Sequence, residues 1–227
     1  MKRIHFEEID STNTYAKERR SEGEDLIITA TRQTGGRGTK GRSFVSKEGG
    51  VYLTTLRFYD DFPAKNAFKI MAGTAVAVCE TLSFYGLKPV IKWSNDVFVN
   101  GKKICGILIE NTLSGGNISS SIVGIGLNIN TSFEGELERI ATSIRLEGGK
   151  SFSVEEVTER LIAELSKERS MEAYRAYLGF MKQTVTLILG DKRVPATLLS
   201  VDDEGKVHAE IEGETYVFSS AEVSIWA

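Results

Sequence analysis

The chain has 227 residues, 41% of them hydrophobic and 26% charged, with a formal net charge of −3. That is an ordinary globular composition, long enough for one large domain and a small one, and it excludes a globally basic nucleic-acid binder. No apolar run approaches the roughly 20 residues of a membrane span. Met1–Glu8 has no apolar signal core. Cys79 and Cys105 stand alone within apolar runs, without C-x-x-C spacing. They read as small buried residues of a reduced, cytoplasmic protein rather than as a disulfide or metal pair. His5 and His208 are the only histidines, and each sits in a strand-like stretch far from the other. Neither makes a catalytic base or a metal site.

Arg3–Ile9 alternates as a strand, and the N-cap residues Asp10-Ser11-Thr12-Asn13 predict a helix over Tyr15–Ser21. A strand over Asp25–Ala30 leads into the segment Arg32–Phe44, which holds four glycines and four basic residues. Glycines let a backbone approach a ligand closely, and Arg and Lys supply donors matched to phosphate. The loop therefore suits an anion, with a solvated hairpin loop as the alternative. Gly36–Gly41 matches G-x-G-x-x-G, but a dinucleotide site needs a helix opening on the last glycine. Here Ser43–Gly50 is polar and Val51–Phe58 reads as a strand. Arg42 stands at the lysine position of a P-loop, again without a helix, and the H-R-D and D-F-G motifs of a kinase are absent.

Asn66–Tyr85 is a long apolar helix ended by Gly86, and its all-round hydrophobicity predicts burial on more than one face. The run Val90–Val99 contains Lys92-Trp93-Ser94-Asn95-Asp96 and ends in the hairpin turn Asn100-Gly101. Lys102–Glu110 returns as a strand, Gly115-Gly116-Asn117 turns, and Ile118–Asn130 forms another strand carrying Gly124 and Gly126. This hairpin series predicts a largely antiparallel sheet. Ser153 and Glu156 form a capping box for a helix through about Lys167, and Met171–Met181 is a second helix. From Gln183 the pattern changes to five short strands, a β-barrel-like tail of about 45 residues. The expected domains are 1–182 and 183–227. A unit as small as the second seldom stands alone, so it is expected to dock on the first.

Five segments need one explanation: Asp10–Asn13, the loop Gln33–Arg42, Lys92–Asp96, Lys102–Leu108 and Gly124–Asn128. Together they resemble the catalytic domain of biotin protein ligases. The likeness covers nearly the whole chain, and the β tail resembles that family's SH3-like C-terminal domain. The resemblance implies an α+β fold with a mixed sheet flanked by helices, related to class II aminoacyl-tRNA synthetases. It also implies a two-step reaction. Biotin and ATP give biotinyl-5′-AMP and pyrophosphate, and a lysine of a biotin carboxyl carrier protein then attacks the mixed anhydride.

The first step joins two anions, so fixed cations should lower its barrier. Arg37 and Lys103 are the candidates, and by resemblance both line the site. Lys102 is read as a solvated hairpin lysine. Asp96 is the candidate for Mg²⁺ on the triphosphate, with an Asx turn as the alternative. Ser11, Thr12, Asn13 and Gln33 offer donors and acceptors for the ureido ring. The resemblance places biotin contacts there and at Arg37, Gly38, Thr39 and Lys103. Gly106, Gly124 and Gly126 would let ligand approach strand backbone. Arg37, Asn95 and Asn128 are assigned to ATP with Trp93, which either stacks on adenine or belongs to the core.

The chain departs from the family pattern at three positions. Ser94 replaces a usual Pro, Phe44 a usual Trp, and Thr39 a common Arg, the last removing a charge from the loop and leaving Lys40 and Arg42 to supply it. The first strand begins at about Arg3, which leaves no room for the helix-turn-helix domain of some members, so no DNA binding is expected. No membrane partner is expected, and a homodimer is possible. The alternatives are a lipoate–protein ligase or octanoyltransferase of the same architecture and, in another class, a non-enzymatic nucleotide- or RNA-binding module.

Overall fold

The computed structural model describes residues 1–226, without the side chains of Lys40 and Trp226. Strand β1 (Lys2–Ile9) runs parallel to β2 (Leu26–Gln33), with helix α1 (Thr12–Arg19) between them. The helix starts earlier than expected because Ser11 is its N-cap: Ser11 Oγ accepts from the Thr14 N–H at 3.4 Å. The glycine-rich loop leads to β3 (Gly50–Phe58), and α2 (Ala67–Phe84) stops before Gly86, which has a φ of 81°. Strands β4 (Val90–Lys92), β5 (Asp96–Val99), β6 (Lys102–Ser114) and β7 (Asn117–Asn128) complete a seven-stranded sheet of order β1-β2-β3-β7-β6-β5-β4. Only the β1–β2 pair is parallel, so the sheet is mixed and largely antiparallel.

The run Val90–Val99 is not one strand. The chain reverses at Trp93-Ser94-Asn95, so β4 and β5 pair antiparallel with Lys92 opposite Asp96. Asn95 closes this turn onto β6: its Nδ2 donates to Ile107 O at 2.9 Å, and its carbonyl accepts from the Ile107 N–H at 3.0 Å. Two short helices, α3 (Glu136–Ile140) and α4 (Ile144–Gly148), follow β7 where the sequence shows no periodicity. The expected capping serine holds α5 (Val154–Leu165), with Ser153 Oγ accepting from the Glu156 N–H at 3.2 Å. Helix α6 (Met171–Tyr177) is shorter than expected.

The two faces of the sheet have different work. Alternate residues such as Ile27, Val51, Leu53, Ile107, Val123, Ile125 and Leu127 are buried in one cluster with α2, α5 and α6. Helix α2 buries Ala72 and the run Thr74–Cys79, the all-round burial its composition predicts. The segment Ala64–Phe84 is apolar enough to cross a membrane by length and composition, but half of it is buried inside the protein. On the other face α1 packs through Ala16 with Leu26, Ile28, Leu56 and Ile122, and toward β5 and β6 the glycine-rich loop and α3 enclose a cavity.

Strands β8 (Thr184–Leu189), β9 (Lys192–Val201), β10 (Val207–Ile211), β11 (Glu214–Phe218) and β12 (Val223–Trp226) form an antiparallel sheet of order β11-β10-β9-β8-β12. Among the described residues β11 and β12 do not pair, so the barrel-like tail is an open sheet. It docks as its size requires, since Leu187, Leu198 and Val207 join the same core as α2. The end of β9 and the β9–β10 turn bond to the main sheet and α6: Trp93 Nε1 donates to Gly205 O at 2.9 Å, and Arg175 Nε donates to Val201 O at 2.8 Å. Gly205 is required there twice over: its φ is +80°, and a Cβ would lie 2.0 Å from the Phe68 ring.

Gly205→Ala should therefore destabilise the whole chain by roughly 3 kcal/mol, from left-handed strain plus overpacking. Trp93→Phe, which keeps an aromatic ring but loses the indole N–H and part of the buried volume, should cost roughly 2 kcal/mol. Urea denaturation measures both. An unchanged midpoint for Gly205→Ala would mean that the turn does not bear on the main sheet.

Candidate active site

Strand register creates the site. Tyr52, Gly126, Gly106, Asp96 and Lys92 are successive cross-strand partners on β3, β7, β6, β5 and β4. Thr54, Gly124 and Leu108 form the adjacent row. Glycines in the middle of both rows leave a trough on the face away from the main core. A cavity of about 530 Å³ lies over it, a size suited to a small molecule. Ser11, Thr12, Asn13, Gln33, Arg37, Gly38, Thr39, Asn95, Asp96, Lys103, Gly106, Gly124, Gly126 and Asn128 all line it.

The glycines also make room for the chain's own side chains. A Cβ on Gly124 would lie 2.1 Å from Asn13 Oδ1, one on Gly126 2.5 Å from the Phe44 ring, and one on Gly106 3.1 Å from Lys103 Nζ. Those side chains form the cavity wall.

At the α1 end, Ser11, Thr12 and Asn13 are all buried. Gln33 is committed to holding them: its Oε1 accepts from the Thr12 N–H at 2.8 Å and from Thr12 Oγ1 at 3.0 Å, and its Nε2 donates to Ser46 Oγ at 2.9 Å. Thr54, which the sequence reading passed over, is fully buried below, with its hydroxyl 2.7 Å from Asn13 Oδ1 and 2.8 Å from Thr12 Oγ1, one hydrogen shared between two acceptors. Among the described residues Asn13 Nδ2 is buried without a partner. An unmatched buried donor costs about 1–3 kcal/mol, which a ligand acceptor would recover.

The loop closes as a small hairpin, with the Gly38 N–H donating to Arg42 O at 2.7 Å and the Phe44 N–H to Gly36 O at 2.9 Å. Thr39 Oγ1 accepts from Arg42 Nη2 at 3.0 Å, so the threonine steers an arginine instead of supplying a charge itself.

At the opposite end, Lys103 Nζ lies 2.7 Å from Asp96 Oδ1, a close ion pair whose angle is not that of a hydrogen bond. A β-bulge puts Lys103 there. Val97 pairs with Cys105 but Phe98 pairs with Lys103, so Ile104 is an extra residue. Strict alternation from Gly106 would have turned Lys103 into the core. Lys102 is not merely solvated, since its Nζ donates to Glu138 O at 2.8 Å and ties α3 to β6. Lys92 also lines the cavity, with Nζ 5.0 Å from the Phe98 ring centroid. Burial lowers its pKa, and Asp96 opposes that shift. The sequence reading gave Lys92 no role, because its pairing with Asp96 appears only once the chain reverses at Trp93–Asn95.

Asn95 and Asn128 line the cavity with their amide nitrogens committed, that of Asn128 to Thr142 O at 3.1 Å. Trp93 is corrected: it does not line the cavity but is buried against the β9–β10 turn, so of its two readings the core one holds. Phe133, Leu137 and Ile140 add an apolar wall that no sequence pattern announced, and Ile140 is 58% exposed.

Residues 5–128 match the biotin/lipoate A/B protein ligase family, and the chain belongs to it. Within that family it is 30% identical over 243 residues to the bifunctional ligase/repressor BirA of Bacillus spizizenii, covering 98% of this chain and 73% of that one. It is 27% identical over 231 residues to the biotin–[acetyl-CoA-carboxylase] ligase of Mycobacterium tuberculosis, covering 94% and 85%. The fold matches the biotin protein ligase from Aquifex aeolicus in complex with biotin and ATP, with a TM-score of 0.81, 26% identity, and coverage of 99% and 98%.

Gly124→Ala should push the Asn13 side chain off Thr54 and lower biotin affinity by roughly tenfold to a hundredfold, the worth of one or two buried hydrogen bonds. Calorimetric titration, alongside a thermal melt to confirm folding, measures it. Wild-type affinity would show that Asn13 does not contact biotin.

Proposed function

We propose that this protein activates biotin with ATP to biotinyl-5′-AMP and transfers the biotinyl group to a lysine of a biotin carboxyl carrier protein. A biotin carboxylate oxygen attacks the α-phosphorus, the bond to the β-phosphate breaks, and pyrophosphate leaves. The carrier's amine then attacks the acyl carbon and AMP leaves. The observation that carries the reading is the division of one cavity into two ends. Unpartnered Asn13 Nδ2 and its buried neighbours suit an uncharged ureido ring, while Lys103 and Lys92 at the other end suit the meeting of carboxylate and phosphate, with Arg37 supplied by the loop. The exposed apolar wall of Leu137 and Ile140 suits a flat base. The biotin ligase relatives favour this branch over lipoate ligation, and a concave cavity of small-molecule size favours it over an RNA-binding module.

In this reading Lys103 and Arg37 hold the reacting anions together, and Asn95 and Asn128 orient the nucleotide. Asp96 is the one carboxylate on the cavity wall among the described residues. It fits Mg²⁺, which takes one or two carboxylates together with phosphate oxygens and would screen the charge of the triphosphate. The division at 182/183 belongs to the same reading and is supported by the start of the second sheet at Thr184, residue 227 lying outside the described residues. So does a cytoplasmic setting, which suits ATP chemistry and the free, buried Cys79 and Cys105. A homodimer would have the free edge of β1 available for pairing.

Biotin-dependent exchange of pyrophosphate into ATP tests the proposal, with mass spectrometry for bound biotinyl-AMP. Lys103→Ala should slow exchange on the order of 10²–10³-fold, the usual cost of one preorganised charge donor. Asp96→Asn should raise the Mg²⁺ requirement with little change in biotin affinity. Exchange that follows lipoate instead of biotin would reject the reading.

A further inference from the structure

Strand β6 continues past the cavity to Glu110, on the same face as Gly106 and Leu108 by alternation. One carboxylate oxygen of Glu110 takes two cations. Lys17 Nζ, from α1, lies 2.6 Å from Oε1, and Arg37 Nη2, from the glycine-rich loop, lies 3.6 Å from the same atom. The Glu110 side chain is 25% exposed, and among the described residues Oε2 is buried without a hydrogen-bond partner. A half-buried carboxylate in such a place is costly without a counter-ion. With two cations present, one can leave without stranding it. Lys17 is the closer partner and sits on a helix. Arg37 is the looser one and sits on the loop.

We propose that Glu110 is a positioning residue that parks the Arg37 guanidinium at the cavity mouth, and that Lys17 sets how easily Arg37 is released to an incoming anion. The idea rests on the reading of Arg37 as a ligand contact. Removing Lys17 leaves Arg37 as the sole counter-ion of Glu110, so the ligand must compete for it. Removing the Glu110 charge as well ends the competition. The two substitutions should therefore have opposite effects on ligand affinity, which losses of packing would not.

The test has one arm without ligand and one with it. In the ligand-free chain, hydrogen exchange over residues 34–43 should slow in Lys17→Met and quicken in Glu110→Gln. This arm reads the parking whatever the ligand is. In the second arm, a non-hydrolysable biotinyl-adenylate analogue is titrated into each variant. Lys17→Met should weaken binding about twofold to fivefold, the range of a partly exposed ion pair. The double variant Lys17→Met/Glu110→Gln should return to near the wild-type value, and in an Arg37→Gln background Lys17→Met should have no effect. Loop exchange that is the same in both single variants overturns the proposal. So does a double variant that binds no better than Lys17→Met. If the wild type does not bind the analogue at all, the functional reading fails while the ligand-free arm still decides the parking.

Discussion

The site depends on room that glycines leave above the middle of the sheet, into which Asn13, Phe44 and Lys103 reach. Gly106, Gly124 and Gly126 lie side by side on β6 and β7, and any side chain at Gly124 or Gly126 would collide with Asn13 or Phe44. Strands seldom tolerate glycine, which weakens them and leaves nothing to pack. Here the loss is borne by the opposite face, where the same strands bury Ile107, Val123, Ile125 and Leu127 under α2. One face supplies stability so that the other can remain hollow.

Fixed polar groups surround that hollow because each is held by something deeper. Thr54 aligns Asn13, Gln33 ties the start of α1 to the return of the loop, and Asn95 pins the Trp93–Asn95 turn to β6. Such support keeps donors in place before a ligand arrives, which is what electrostatic catalysis requires. The C-terminal sheet takes part in this, since its β9–β10 turn is bonded to Trp93 and packed on Phe68, directly behind the segment that carries Asn95 and Asp96.

Much of this was legible in the sequence where one residue type meets one local requirement. The turns at Asn100-Gly101 and Gly115-Gly116 fixed the hairpin order, the capping serines marked α1 and α5, and the basic glycine loop announced an anion site. The failures share a cause: they depend on contacts between distant segments. Lys103 lines the site as the resemblance implied, but its facing follows from a bulge that residue spacing does not announce. Trp93 in a motif-rich stretch looked like a ligand contact, and only its bond to Gly205 decides otherwise. Thr54 and Glu110 looked like routine strand residues, because their partners lie on α1 and the loop. The wall of Phe133, Leu137 and Ile140 comes from a segment too short and acidic to show periodicity.

The ion pairing of the empty site has a consequence for kinetics. Lys103 already faces Asp96, and Arg37 already faces Glu110. Among the described residues the cavity wall still carries five cations, Arg37, Arg42, Lys92, Lys103 and Arg139, against the one carboxylate of Asp96, so an arriving polyanion meets a locally positive mouth in a protein of net charge −3. That attraction is short in range and screened by salt. Capture of nucleotide combines it with an exchange of partners after contact, so the encounter rate should fall as ionic strength rises.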